Sequence, residues 1–428
     1  MLTSLQLQSY LERLFPINRS LTGKGNVQSL DILKEIIPQL EVKSVKSGTK
    51  AFDWEIPKEW NVSSAFIQRL NGEKIIDFKE NNLHLVQYSK AFSGLISRKE
   101  LFEHLHTSDK LSNAIPYVTA YYDDYWGFCV SEDVKNKMHD EEYFVEIVAN
   151  KEKGRMHFGE LLVKGASKQE IIISTYICHP SMANNELSGP LVSISLAHEL
   201  LLRRESLYFS YRFIFVPETI GAIYFISKNF KNLKRYAKAV FVLTCIGDNR
   251  NWSFLKSKSE NTLPDKVARF AFEQNSIQYK EYSYLDRGSD ERQFGAPKVN
   301  LPVVSIMRSK YGTFDEYHTS ADNLNLVNGE NLFESCNFMI HMVDILEKNV
   351  IPVATVFCEP FFKKRNLREL GFQNTSLKAK DSKLSNFLAF CDGEHDLIDI
   401  SRKVQIDFYE CHELMKTLLS EELIQIVS

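Results

Sequence analysis

Residues 171–180 read IIISTYICHP, and residues 209–218 read FSYRFIFVPE. The first is a continuous apolar, β-branched run, the second is rich in aromatic and apolar residues, and each stops at a proline beside a single polar residue, His179 or Glu218. Such runs are expected of strands buried on both faces of a sheet, where no polar alternation survives. The segments that follow, PLVSISLAHELLLR at 190–203 and IGAIYFISKNF at 220–230, carry helical patterning. Two more buried runs come later, AVFVLTCIGD at 239–248 and LPVVSIM at 301–307. Strands alternating with helices predict an α/β fold, a mostly parallel sheet with helices on both faces. In such sheets the chemistry sits just past the carboxyl ends of strands. FVEIVAN and GELLVKG, just upstream, are expected to pair with each other.

Working outward, the texture changes twice. Residues 47–136 are rich in Trp, Tyr and Pro, as in FDWEIPKEW and IPYVTAYYDDYWGFC, with short alternating runs. They predict an inserted β-rich subdomain within an α/β domain built from residues 1–46 and 137–350. Ahead of it, helices are expected near 5–14 and 27–37, the second stopped by Pro38. Beyond 354 three short helices and an end strand resemble a winged-helix domain, placed at 355–428. That segment is acidic, which favours a protein-contact or structural role over DNA binding.

Composition bounds the function. The chain has 428 residues, 44% apolar and 25% charged, with a formal net charge of -3. No global field points to nucleic acid or to an anionic membrane. No apolar run has membrane-spanning length. The N-terminus lacks the pattern of a secretory signal, so the expected location is cytoplasmic. Seven scattered cysteines without a CxxC argue against a disulfide framework or a zinc knuckle. Cys178 and Cys245 read as small core residues.

Polar residues gather at the predicted strand ends. The first strand delivers His179, followed by SMANNELSG. The second delivers Glu218. A late loop, FDEYHTSAD, carries His318, and GSDERQ carries Asp290 and Glu291. A hydrolytic zinc needs imidazole or carboxylate ligands, an open position for water, and a nearby carboxylate to take the water's proton. His179 and His318 supply nitrogens, and Glu218 at a buried strand tip supplies the base. Ser188-Gly189-Pro190 opens a helix whose N-terminal amides can stabilise an anion. The bland reading is hydrogen-bonded structural histidines, a helix-start Glu218 and a solvated turn at 290–291.

The motifs CHPSMANNELSGP, FVPETIGA, SDERQF and YHTSADNL resemble the marks of aminopeptidase-like proteins associated with bacterial polysaccharide biosynthesis. LFPINRSLTGKG, FDWEIPKEW and IPYVTAYYDDYWGFC resemble that family's N-terminal and inserted segments, so the resemblance spans nearly the whole chain. It implies a zinc-aminopeptidase fold with an inserted β subdomain and a C-terminal winged helix. It also implies His179 and His318 as metal ligands and Glu218 as base, and it aligns Asn185 with the carboxylate that bridges two metals in dinuclear relatives. Thr219 and Thr244 stand where those relatives have further carboxylates. With that negative charge gone, one zinc is expected rather than two, held by His179, His318 and an oxygen of Asn185 or of a nearby acid, Glu186, Asp290 or Glu291. Loss of the metal altogether stays open.

The expected activity is zinc-dependent hydrolysis of an amide, in a peptide or an N-acyl or aminoacyl sugar. The alternative is a catalytically altered, ligand-binding descendant. A DNA-binding regulator is a third and weaker reading. The expected partners are a small-molecule or peptide substrate, with no membrane, and a protein partner or second copy left open.

Overall fold

The structure is a computed structural model, and it describes residues 1–365, 367 and 383–427. The four buried runs named above become neighbouring parallel strands: Ser210–Val216, Glu170–Tyr176, Ala237–Leu243 and Val303–Met307. They form the centre of an eight-stranded sheet. Glu41–Lys46 and Arg155–Val163 add antiparallel to one side, and Trp252–Leu255 with Tyr279–Tyr282 complete the other. Four of the seven neighbour pairings among the described residues are parallel. The mostly parallel α/β expectation therefore holds for the centre of the sheet, with antiparallel strands between the centre and each edge.

From Glu170–Tyr176 the chain goes first to one neighbour and then, through Ile220–Tyr236, to the other. That reversal opens a crevice at the carboxyl end of Glu170–Tyr176, where His179 emerges. The helix Ser188–Leu202 lies flat on the sheet, most of its residues buried. Its approach is close: a Cβ on Gly189 would come within 2.3 Å of both the Leu243 carbonyl and the Thr175 hydroxyl. Only a glycine lets the backbones meet there.

The main sheet takes no strand from residues 47–136. Those residues build most of a separate four-stranded sheet, Lys74–Asp77, Glu59–Gln68, Glu142–Glu152 and Phe92–Ser97. Its third strand contains FVEIVAN, so FVEIVAN and GELLVKG do not pair but enter different sheets. The reason is in the burial: Tyr143, Val145 and Ile147 alternate inward, the one-sided pattern of an antiparallel sheet. The core of this small sheet, with Trp60, Trp126 and Tyr143, is continuous with Tyr176, Cys178 and Ile220 at the ends of the parallel strands. The aromatic-rich segment thus packs directly behind the candidate site.

The chain divides into two compact units, one formed by 1–268 with 272–340, the other by 269–271 with 341–428. In the second, helices over 383–389, Leu397–Val404 and Phe408–Ser420 precede the strand Ile424–Val427. That strand pairs antiparallel with Ile351–Ala354, four residues upstream of the boundary expected from the sequence. No helix among the described residues is long and apolar enough to cross a membrane.

Candidate active site

His179, Glu218 and His318 converge at the carboxyl edge of the parallel strands. His179 leaves the Glu170–Tyr176 strand after two residues. Its Nδ1 donates to the Glu186 carboxylate at 2.7 Å, which fixes the tautomer and leaves Nε2 facing the Glu218 carboxylate at 3.6 Å. That second distance is too long for a hydrogen bond. The ring of His318 lies 5.5 Å from the ring of His179, centroid to centroid. Tyr117, from the aromatic-rich segment, sets its ring edge-on to both histidines at 5.0 Å, and its amide donates to the His318 carbonyl.

Glu186 is held hard. It also accepts from the amide of Cys178 and lies 3.7 Å from the buried Arg19 guanidinium. Arg19 comes from the loop after the first helix and donates to the carbonyls of Leu14 and His179. A buried acid is tolerable when a cation and a hydrogen bond satisfy it. For His179, burial works against the charged ring, but the Glu186 bond and charge outweigh it, and the pKa rises. His318 has no such partner. Burial, followed by the neighbouring His179, pulls it down to about 3, so its imidazole is neutral. Cys178 joins His179 and Glu186 in a compact cluster of potential ligand atoms. Burial pushes its thiol well up, and its sulfur accepts from the Glu218 amide.

Glu218 stands on a strained turn. Thr219 has φ 64° and ψ −75°, and the Ile220 amide donates to the Glu218 carbonyl. This is a γ-turn of the rare positive-φ kind. The Thr219 amide donates to Asp290 at 2.7 Å, and Arg292 donates to the Thr219 hydroxyl at 3.0 Å. Ser181, Cys245 and His318 also have positive φ. Non-glycine residues in such conformations cluster where surrounding structure holds a site in place. Burial raises the pKa of Glu218. Asp290, beside it, is pushed well up by burial and by the charge of Glu218, and its Oδ2 has no hydrogen-bond partner.

The other sequence-predicted residues separate in role. Asn185 is buried next to the histidines, but its amide oxygen accepts from the Tyr176 hydroxyl at 2.8 Å, and its Nδ2 has no partner. Glu291 is committed to the fold. It accepts from the amides of Gly288 and Ser289, the Tyr311 hydroxyl and the Ser305 hydroxyl. The helix expected to open at Ser188 is extended backward by a π turn, Ala183–Leu187. Its free amides, those of Ala183, Asn184 and Asn185, are already bound by the carboxylate of Asp322. The anion at that helix start is therefore the protein's own. Arg19, Tyr117 and Asp322 escaped the sequence reading. All three lie inside quoted motifs, but nothing in spacing says which loop residue turns inward.

A cavity of about 310 Å³ opens beside Glu218. Trp54, Tyr121 and Tyr122 line it from the aromatic-rich segment, with Leu21 and Arg292 opposite in sequence. This is within the size range of small-molecule sites.

Comparison with known proteins bears on the family and the fold. The family described as a domain of unknown function (DUF4910) matches residues 8–349, and a winged helix-turn-helix family matches residues 350–426. A curated protein of Clostridium acetobutylicum, named as a polysaccharide biosynthesis protein with aminopeptidase-like domain, is 38% identical over 426 residues, covering 99% of this chain and 97% of that protein. A crystal structure from the same species, described as a peptidase, superposes with a TM-score of 0.89 at 37% identity, over 99% of this chain and 96% of the other. The zinc aminopeptidase BSAP from Bacillus subtilis superposes with a TM-score of 0.56 at 13% identity, over 80% of this chain and 94% of its own. At that identity the likeness is one of fold.

Proposed function

We propose, from the premise that this chain belongs to the DUF4910 family of proteins with an aminopeptidase-like domain, that it hydrolyses an amide bond in a peptide or an N-acyl or aminoacyl sugar. The name of the Clostridium relative links the substrate to polysaccharide biosynthesis. The observation that carries the reading is the buried meeting of His179, Glu218 and His318 at the crevice of the parallel sheet.

The donor set fits one zinc and not two. His179 presents Nε2 with its tautomer fixed by a carboxylate, the usual support of a ligating histidine. His318 is held neutral by burial, as a ligand must be. A second ion lacks its charge: Asn185, Thr219 and Thr244 bring no carboxylate to the centre. His179 and His318 would hold the ion, displacing the proton that Glu186 otherwise favours on His179. Asn185 would contribute its oxygen only by giving up the Tyr176 hydroxyl. Bound there, zinc supplies Lewis acidity and a more acidic water.

The chain's own groups then divide the work. Glu218, made more basic by burial, takes the proton of the attacking water and returns it to the leaving nitrogen. Asp290 and Arg292 hold the turn that aims it. Trp54, Tyr121 and Tyr122 face the substrate and exclude water.

One observation favours a second reading, an altered site that binds without hydrolysing: the amide oxygen of Asn185 is spent on Tyr176. Elemental analysis of the dialysed protein, with a panel of peptide and N-acyl sugar amides, separates the two. The proposal expects up to one equivalent of zinc and turnover that a chelator abolishes. Metal-free protein that cleaves nothing after zinc is added back contradicts it.

A further inference from the structure

A second polar cavity in the unit that carries the active site lies elsewhere. It measures about 680 Å³ and lies between the last two strands of the sheet, Trp252–Leu255 and Tyr279–Tyr282, and the loop that leads to His318. Four cations line it, Arg250, Lys280, Arg308 and Lys310, against two acids, Asp315 and Glu316.

The two arginines are already engaged. Arg250 forks onto Glu316 with both terminal nitrogens, at 3.0 and 2.6 Å. Arg308 stacks over Trp252 at 3.9 Å and pairs with Glu334. The two lysines are not. Their ammonium groups both lie over the ring of Tyr282, 4.8 Å from its centroid for Lys280 and 5.4 Å for Lys310. Lys310 is only 8% exposed, and its one hydrogen bond goes to the Tyr311 carbonyl. Neither lysine forms an ion pair among the described residues. Two like charges gathered over one ring, one of them buried and also 4.0 Å from the Tyr311 ring, have no directly paired carboxylate, although the charges of Asp286 and Glu291 act on Lys310.

We propose that this cavity binds a small molecule bearing a phosphate or diphosphate, with Lys280 and Lys310 on its oxygens. Compact ammonium groups approach a tetrahedral oxyanion from separate directions, whereas a planar carboxylate is better met by an arginine fork; the fork of Arg250 is spent on Glu316, and the guanidinium of Arg308 is stacked on Trp252 and paired with Glu334. The backbone amide of Ser309, next in the chain to Lys310, donates to Asp248, which accepts from Asn184 in the π turn beside the active site. The same loop carries His318. The site is thus linked through Asp248 to the π turn and by one loop to His318, and its binding is independent of any hydrolysis.

Titration calorimetry on the full chain at low, constant ionic strength tests this, with inorganic phosphate, pyrophosphate and citrate as probes. Pyrophosphate is expected to bind with a Kd of about 10–500 μM, more tightly than phosphate or citrate. Lys280→Gln, at an exposed position, should weaken it by roughly 3–10-fold and Lys310→Met by more than about 10-fold, with Glu218→Gln binding as wild type does. Absence of binding up to about 10 mM pyrophosphate overturns the proposal. So does tighter binding of citrate, or unchanged affinity in a folded Lys280→Gln protein.

Discussion

Asn185 decides how much metal chemistry this chain retains. Its unpartnered Nδ2 sits where a carboxylate would place its second oxygen. Asn185→Asp keeps the acceptor for Tyr176 and adds a buried negative charge. Without metal that charge should cost about 1–3 kcal/mol of stability. With zinc the loss should reverse, because cation and carboxylate satisfy each other. Melting curves with and without zinc check this, and a zinc-induced rise no larger than wild type's would count against a metal at this position. Thr219 shows the opposite economy. Its positive φ is strained for a β-branched side chain, by about 1–3 kcal/mol. Thr219→Gly should melt no lower than wild type, yet turn over about 10-fold more slowly, because Glu218 is no longer aimed. A variant as active as wild type would make the strain incidental. His179 and Glu218 were legible as candidates because buried strands end visibly there, whereas His318, in a late loop, stands out by its motif. Glu186 was named there as a spare acid. That it turns back to His179 depends on the π turn and on Arg19, a residue 160 positions away from His179 in the chain.

The elements show the same division between periodicity and pairing. The four parallel strands were readable because burial on both faces erases alternation. FVEIVAN misled because a short apolar run does not name its partner, and only its inward alternation of Tyr143, Val145 and Ile147 separates the two outcomes. The helix start behind the site illustrates how an element's end can be captured by its own chain. The amides of Ala183, Asn184 and Asn185 are bound by Asp322, whose pKa burial raises to about 7 despite those bonds. An acid with a raised folded pKa contributes stability that is present below its unfolded pKa near 3.8 and lost as pH rises through about 7. Asp322→Asn abolishes that loss. Its stability relative to wild type should therefore climb between about pH 4 and 7, by an amount on the order of a few kcal/mol, and level off above. Chemical denaturation across that range reads the difference, and a flat difference would show that the three amides hold the carboxylate ionised throughout.

At the scale of the whole molecule, the aromatic-rich segment is more than an appendage. It supplies Tyr117 beside both histidines and three lining residues of the cavity beside Glu218, so loops of the segment that reads as an insertion line the candidate site. Composition could not reveal this, because an aromatic-rich run reports that it packs and not against what. The winged-helix unit, by contrast, was legible as a unit from its helix order alone, and its match to a winged helix-turn-helix family agrees. All of the proposed chemistry nevertheless converges on one carboxylate. Glu218→Gln keeps the shape of the side chain and removes the proton acceptor. Turnover on a cleavable amide should fall by about 10²–10⁴-fold while zinc content and melting temperature stay near wild type. A Glu218→Gln protein with full activity would contradict the account.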